Sequence, residues 1–345
     1  MKKKTILFTL FALAIVSLGV AGWLYLRIYS PNLQLKNPEQ PFYLHIPTGA
    51  DFRQVKDSLE KHGVLKNTRS FEWVAGLMEY PQLVKAGRYR LQDGMHNRAL
   101  VSKLRSGNQD AVNLTFNNIR KKEHFAAFLG RELEPDSLDF IELMNDSAFV
   151  GELGFSTETI YTMFIPNTYQ VFWNSSPKDF FQRMHRDYEK FWTASRRAKA
   201  DSIGLTPQEV SILASIVDQE TSKKDEMPTI AGVYMNRLKS GRRLEADPTV
   251  IFALDDFSIR RVLYKHLQTP SPYNTYVVTG LPPGPITMPS EAAIRAVLDY
   301  EDHNYIYFCA KADFSGYHAF AETHSQHLQN ARAFQRALNE RNILR

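Results

Sequence analysis

Residues Thr206 to Ser222 read TPQEVSILASIVDQETS, and the rest of the chain is organised around this stretch. Thr206 is a good helix N-cap, Pro207 suits the first helical position, and Glu209 three residues on completes a capping box. Val210, Leu213, Ile216 and Val217 recur at helical spacing, and Glu220 and Thr221 are the next positions on that apolar face. Asp218 and Gln219 point elsewhere. A well-capped helix therefore carries the Glu220 carboxylate on its buried side. Burial disfavours the charged form, and that is how a glutamic acid is kept protonated for general acid chemistry. The competing reading places Glu220 at a frayed helix end, paired with Lys223 or Lys224.

Downstream, Pro228 to Leu238 reads as a second helix with Ile230, Val233, Tyr234 and Leu238 as its apolar face, delivering Asn236 and Arg237 at its end. Asp247-Pro248-Thr249 opens another helix, with Asp247 a plausible N-cap. The segment Ser271 to Ser290, SPYNTYVVTGLPPGPITMPS, is stiff with prolines yet presents Tyr273, Asn274, Thr275 and Tyr276. A polar–aromatic loop of this length inside a domain is more often functional than idle. Aromatic faces beside amides suit a sugar ring, which is apolar on its face and polar at its hydroxyls. Gly280, Pro282, Pro283 and Gly284 shape the loop. Ser290-Glu291 caps a further helix, Tyr305 to Ala310 reads as a buried strand, and a last helix runs from about Thr323 to Asn342.

Upstream, a charged helix is expected from Asp179 to Ala200, and alternating short helices and loops from Val112 to Ser176. Phe42 to Ile46 and Gly87 to Leu91 read as strands. Between them, helices are expected with Phe52, Val55 and Leu59, and with Phe71, Val74 and Leu77, as apolar faces; a further helix spans Ala99 to Leu104. This is a small α+β module. Ser30 to Pro41 reads as a linker carrying Pro31, Pro38 and Pro41.

The N-terminal stretch Ile6 to Leu26, ILFTLFALAIVSLGVAGWLYL, carries no charge. At 1.5 Å per residue roughly 20 such residues span a bilayer core. Lys2 to Lys4 precede it against the lone Arg27, which places the tail inside and the bulk outside. A cleaved signal peptide, cut near Gly19-Val20-Ala21, is the alternative; signal h-regions run about 7–15 residues, and this stretch is longer.

The 345 residues suffice for about two domains, and 43% hydrophobic with 23% charged residues excludes wholesale disorder. A net charge of +5, three of it from Lys2 to Lys4, with no basic stripe interleaved with aromatics, gives no argument for nucleic acid. Cys309 is the single cysteine, so there is no intrachain disulfide framework; it reads as core. His324 and His327, three residues apart, lack the partners of a metal site.

The motifs LASIVDQETS, AGVYMNRL, RLEADPTVIFAL, TPSPYNTYVVTGLPPGPI and HAFAETHSQH, in this order and spacing, resemble the YceG-like endolytic murein transglycosylases, the MltG family. The resemblance implies an α+β chain with a transmembrane anchor at residues 1–30, a linker at 31–41, a LysM-like module at 42–116 and a larger mixed α/β catalytic domain at 117–345. It implies a single-pass inner-membrane protein with its catalytic domain on the periplasmic side. Its activity would be that of a lyase without cofactor. It would cut the MurNAc-β-1,4-GlcNAc bond of nascent peptidoglycan strands, leave 1,6-anhydroMurNAc ends and terminate glycan elongation. Glu220, in the motif's E-T pair, would be catalytic, and peptidoglycan synthases (penicillin-binding proteins) would be partners. Asn236, Arg237, Asp247, Thr249, Tyr273, Asn274 and Thr275 are expected to bind the saccharide. The sequence departs from the family pattern at Asp218, Asn167, Gln326 and Leu328. A water-using muramidase with Asp218 or Asp247 as second carboxylate, and a non-enzymatic membrane-tethered peptidoglycan-binding protein, are the other readings.

Overall fold

The computed structural model describes residues 2–341. The expected end of the last helix at Asn342 and the outer limits of the expected domains, Met1 and Arg345, lie outside the described residues. The chain divides into two compact units, one of residues 1–113 with 132–135 and 170–175, the other of residues 114–131, 136–169 and 176–345.

The smaller unit begins with α1 (Lys2–Tyr29), long and apolar enough to cross a membrane. It continues as β1 (Phe42–Ile46), α2 (Phe52–Lys61), α3 (Thr68–Leu77), β2 (Gly87–Leu91) and α4 (Asn97–Ser106). β1 and β2 pair antiparallel, Phe42 opposite Leu91 and Ile46 opposite Gly87. Both strands turn alternate residues inward, so Leu44, Ile46, Tyr89 and Leu91 meet Val55, Leu59, Phe71 and Val74 of the two helices in one core. Asp51 and Gln54 form a reciprocal capping box on α2, and Asn67 caps α3. Leu77, expected on the α3 core face, is instead exposed.

The stretch expected to be a linker packs into this unit. Leu33 and Leu35 are buried, Leu33 bridges to Leu65 and Pro31 to His96, and the Asn32 amide donates to Asn97 Oδ1 at 2.7 Å. Its prolines suggested an open connection, but two leucines at alternate positions give a half-buried extended segment its hold.

The larger unit is mainly helical, and the α+β class holds for the chain as a whole. The elements that follow α4 in chain order are β3 (Val112–Phe116), α5 (Lys122–Glu132), α6 (Ser137–Asn145), α7 (Ser147–Glu152), β4 (Asn167–Val171), α8 (Pro177–Phe191) and α9 (Ala194–Ser202), with the ends of β3, α5 and β4 falling in the smaller unit. α10 (Pro207–Glu220), α11 (Met227–Lys239), α12 (Asp247–Leu254), α13 (Glu291–Leu298), β5 (Tyr307–Ala310), β6 (His318–Ala321) and α14 (His324–Glu340) follow. β3 and β4 pair, in a stretch expected to hold only helices and loops. The single helix expected from Asp179 to Ala200 is two, broken at Trp192-Thr193, where the Thr193 side chain caps α9.

α10 is the axis of this unit. Every residue from Val210 to Val217 is buried, not only the apolar stripe, because α9, α11, α12 and α13 pack around it. Its two buried serines are satisfied locally: Ser211 donates to Pro207 O at 3.0 Å and Ser215 to Ile212 O at 2.7 Å. Ser215 also accepts from Ile286 N at 3.0 Å, drawing the proline-rich loop onto the helix.

β5 and β6 form an antiparallel hairpin with Phe308 opposite Phe320. β5, expected to be buried, is half-buried along its length, and Cys309 with it. Burial pushes the Cys309 thiol up, away from the thiolate form.

Candidate active site

The C-terminal end of α10 meets α11 at a hydrogen bond between acid and phenol. The buried Tyr234 hydroxyl donates to Glu220 Oε1 at 2.5 Å. The capping box at Thr206 and Glu209 sets where the helix begins, and its length then fixes Glu220 at the last turn. The competing arrangement, Glu220 paired with Lys223 or Lys224 at a frayed end, is not formed: its carboxylate is bonded to Tyr234.

Glu220 and Tyr234 line a cavity of about 240 Å³ together with Arg237, Leu244, Glu245, Asp247, Tyr276, Tyr307, Phe308 and His327. Glu220 is half-buried and lines this cavity. Burial pushes its carboxyl up to about 7; the Tyr234 hydrogen bond opposes the rise and the Asp247 charge adds to it. Near neutral pH the group is thus divided between acid and carboxylate. Burial and the neighbouring carboxylates push the Tyr234 and Tyr276 phenols far up, so both remain donors.

Asp247 reaches the cavity from the first turn of α12. It does not cap that helix, which starts from Ala246 without a side-chain cap. Its carboxylate accepts from the Tyr276 hydroxyl at 2.7 Å, and burial raises its pKa against that bond. Arg237 is only 7% exposed. Its Nε donates to Arg243 O and its Nη1 to Ile306 O, both at 2.8 Å, and its remaining amine pairs with Glu245. Glu245 is held in the left-handed region at φ 55°, a strained setting for a non-glycine residue, where its N–H reaches Thr275 O at 3.1 Å.

The other expected binding residues lie outside this wall. Asn236 faces the β5 approach, its amide donating to His303 O at 2.6 Å and Tyr305 O at 3.0 Å. Thr249 and Thr275 are fully buried and bonded to each other at 2.8 Å, while Thr275 accepts from Ala246 N. Asn274, also buried, donates to Leu267 O and Thr269 O and accepts from Tyr276 N. These three build the loop that presents Tyr276. Tyr273 packs on Phe252, ring centroids 4.8 Å apart, and lines a separate cavity with Arg120, Lys122 and Tyr161. Asp218 turns away from the cavity to accept from the Ser290 hydroxyl at 2.6 Å, tying α10 to the cap of α13.

Residues not expected at the site include Tyr234, Glu245, Tyr307, Phe308 and His327, while Tyr276 is one of the loop aromatics singled out in the sequence. Tyr234 reads as apolar in a helical pattern, although its polar tip is what reaches Glu220. His327 stacks on Tyr307 at 5.2 Å, and burial with the charges of His324 and Arg237 lowers its pKa, keeping it neutral. His318 lies elsewhere, against the buried Glu226, which takes its Nδ1 at 2.9 Å and its N–H at 2.6 Å.

A buried glutamate of near-neutral pKa, facing a cavity walled by phenols, an arginine and a second carboxylate, is an arrangement suited to acid–base chemistry on a polyhydroxylated substrate. Residues 44–333 match the model of the YceG-like family, and the chain belongs to that family. It is 26% identical over 322 residues to an endolytic murein transglycosylase of Bacillus subtilis, covering 89% of this chain and 88% of that one. It is 25% identical over 296 residues to a protein of the same name from Streptococcus pneumoniae, covering 77% of this chain and 53% of that one. The chain thus spans about half the length of the streptococcal relative. In fold it is similar to the crystal structure of a yceG-like protein of Listeria monocytogenes, with a TM-score of 0.57 and 24% identity, covering 84% of this chain and 99% of that one.

Proposed function

We propose that this chain is an endolytic murein transglycosylase, a lyase that cuts peptidoglycan glycan strands at the MurNAc-β-1,4-GlcNAc bond and leaves 1,6-anhydroMurNAc ends. The observation that carries this reading is Glu220 at the cavity wall, its carboxyl held near neutrality by burial, in a chain whose relatives bear that name. The protonated Glu220 gives its proton to the glycosidic oxygen as an oxocarbenium-like centre develops. Tyr234 donates to Oε1, so the proton that is transferred sits on Oε2. The resulting carboxylate then takes the proton of the sugar's own C6 hydroxyl, which closes onto C1. Because the nucleophile is intramolecular, no second carboxylate is needed to activate water.

Arg237, Asp247, Tyr276 and His327 are the groups we assign to saccharide binding, with Tyr307 and Phe308 offering ring faces. Asn236, Thr249, Asn274 and Thr275 then act as supports. The reading places α1 in the cytoplasmic membrane with the larger unit on the outer, periplasmic face, by the lysine bias of the N-terminal tail. The smaller unit, strand–helix–helix–strand with an antiparallel pair, fits a LysM-like glycan contact. A peptidoglycan synthase is the expected partner, since cutting nascent strands terminates their elongation where they are made.

A second reading has one observation in its favour. Asp247 shares the cavity with Glu220, so a muramidase that activates water through Asp247 is chemically available. Digestion of uncrosslinked glycan strands, with the product ends weighed, separates the two. Ends lighter by one water support the transglycosylase and ends of full mass support the muramidase. Fragments of internal length mark endolytic cutting, and release of disaccharides alone contradicts it.

A further inference from the structure

The smaller unit is joined to α1 without a slack segment. Ser30 N still bonds Leu26 O at 3.0 Å, Asn32 N and Leu33 N both bond Met95 O, and Gln34 N bonds Val64 O at 2.8 Å. The helix end itself is held: the Asn97 amide donates to Arg27 O at 2.9 Å, and Arg98 bonds the Tyr29 hydroxyl. Higher on α1, Trp23 packs edge-on against Trp73 of α3, ring centroids 5.8 Å apart, with the Arg27 guanidinium 4.3 Å from the Trp23 ring.

The level of that contact is fixed by length. The charge-free run Ile6–Leu26 gives about 31 Å of helix, which is what a hydrocarbon core of about 30 Å requires. Ended before Trp23 it would give only about 26 Å, too short without thinning the bilayer. The Trp23 ring therefore lies at the outer edge of the membrane. Trp73, in contact with it, lies at the same level. One turn along the same face of α3 is Leu77, 60% exposed, and one turn back is the exposed Arg69. Arginine, tryptophan and leucine in a row on one helix face match the gradient from headgroup to acyl chain.

We propose that the smaller unit is seated in the headgroup layer of the membrane through the Arg69–Trp73–Leu77 face of α3, rather than held off the bilayer by a tether. The inference rests on the reading that α1 spans the membrane. The partner is the phospholipid surface itself. Seating explains why Leu77 departs from the core pattern of α3: its contact is with lipid. It also fixes the smaller unit against the membrane face on which lipid-linked strands are extended.

The test is spin-label accessibility on the full chain in liposomes of phospholipid alone, in a Cys309→Ser background. Nitroxides are placed by Leu77→Cys, by Arg53→Cys on the exposed face of α2 as a water reference, and by Leu18→Cys within α1 as a lipid reference. We expect collision with a water-soluble nickel chelate to be several-fold lower at position 77 than at 53, with oxygen collision raised toward the value at 18. Equal chelate collision at 77 and 53, with 18 shielded, overturns the seating while leaving the span intact. Chelate access at all three positions overturns the span, and the seating with it. Far-ultraviolet circular dichroism matching the parent confirms that each labelled chain is folded.

Discussion

The Tyr234 hydroxyl and the Glu220 carboxylate meet at 2.5 Å across the junction of two buried helices, and the phenol is the donor. This bond favours the charged form of Glu220, against the burial that favours the neutral one. Removing the donor should therefore raise the Glu220 pKa. For Tyr234→Phe the alkaline limb of the pH–rate profile should move up by about one unit. The rate should fall about tenfold, because the carboxyl is no longer oriented, with KM little changed. A fall in rate with the limb unmoved would assign Tyr234 to packing alone.

Asp247 acts in the opposite sense. Its negative charge raises the Glu220 pKa, so Asp247→Asn should move the alkaline limb to lower pH. Opposite displacements in Tyr234→Phe and Asp247→Asn would identify the titrating group as Glu220, since only that carboxyl is coupled to both. If Asp247 activates water instead, Asp247→Asn should abolish turnover at every pH.

A buried acid held near neutrality costs stability. The folded-state pKa of Glu220, about 7, lies above that of an unfolded chain. The folded chain thus binds the proton more tightly. The contribution of Glu220 to stability is greatest below the unfolded value and is lost as pH rises from there through about 7. Glu220→Gln cannot ionise, so at pH 8 it should be more stable than the parent by about 3 kcal/mol, and nearly equal to it at pH 4.5. Denaturant unfolding at the two pH values measures this.

Three substitutions separate support from contact. The Asn236 amide serves the His303–Tyr305 segment, donating to His303 O and Tyr305 O and lying 3.4 Å from His303 Nδ1, so Asn236→Ala should lower stability by about 1–3 kcal/mol and leave KM unchanged. Gly232 lies on α11 against the same segment, where an added Cβ would sit 2.4 Å from Glu301 O. Gly232→Ala should cost about 1–3 kcal/mol or more. Gly151→Ala, on a helix with open space around it, should be neutral or mildly stabilising. Thermal melts of the three variants check the order.

What was legible in the sequence follows from the range of the forces involved. The Thr206 capping box and the apolar positions after it are local, so α10 and the burial of Glu220 could be read directly. The alternation of Val112, Leu114 and Phe116 in β3 was equally local, yet strands of five residues with polar neighbours are easily lost among helices. The cavity was only partly legible. Glu220, Arg237 and Asp247 carry their chemistry in residue type, whereas Tyr234 and Tyr276 acquire theirs from a partner on another element. Asn274 and Thr275 stand out in the sequence by residue type, whereas their bonds within the fold do not. They hold the loop by bonds to Leu267, Thr269 and Thr249, and pairings at that separation leave no periodic trace. The hold of Leu33 and Leu35 on the smaller unit was hidden for the same reason.

The central claim is that Glu220 alone supplies and recovers the proton for a cut made without water. Its most direct test is mass spectrometry of glycan strands digested by the parent and by Glu220→Gln, with strand binding measured alongside. The account predicts ends lighter by one water from the parent, and strands left uncut but still bound by the variant. Ends of full mass from the parent, or anhydro ends persisting in the variant, would contradict it.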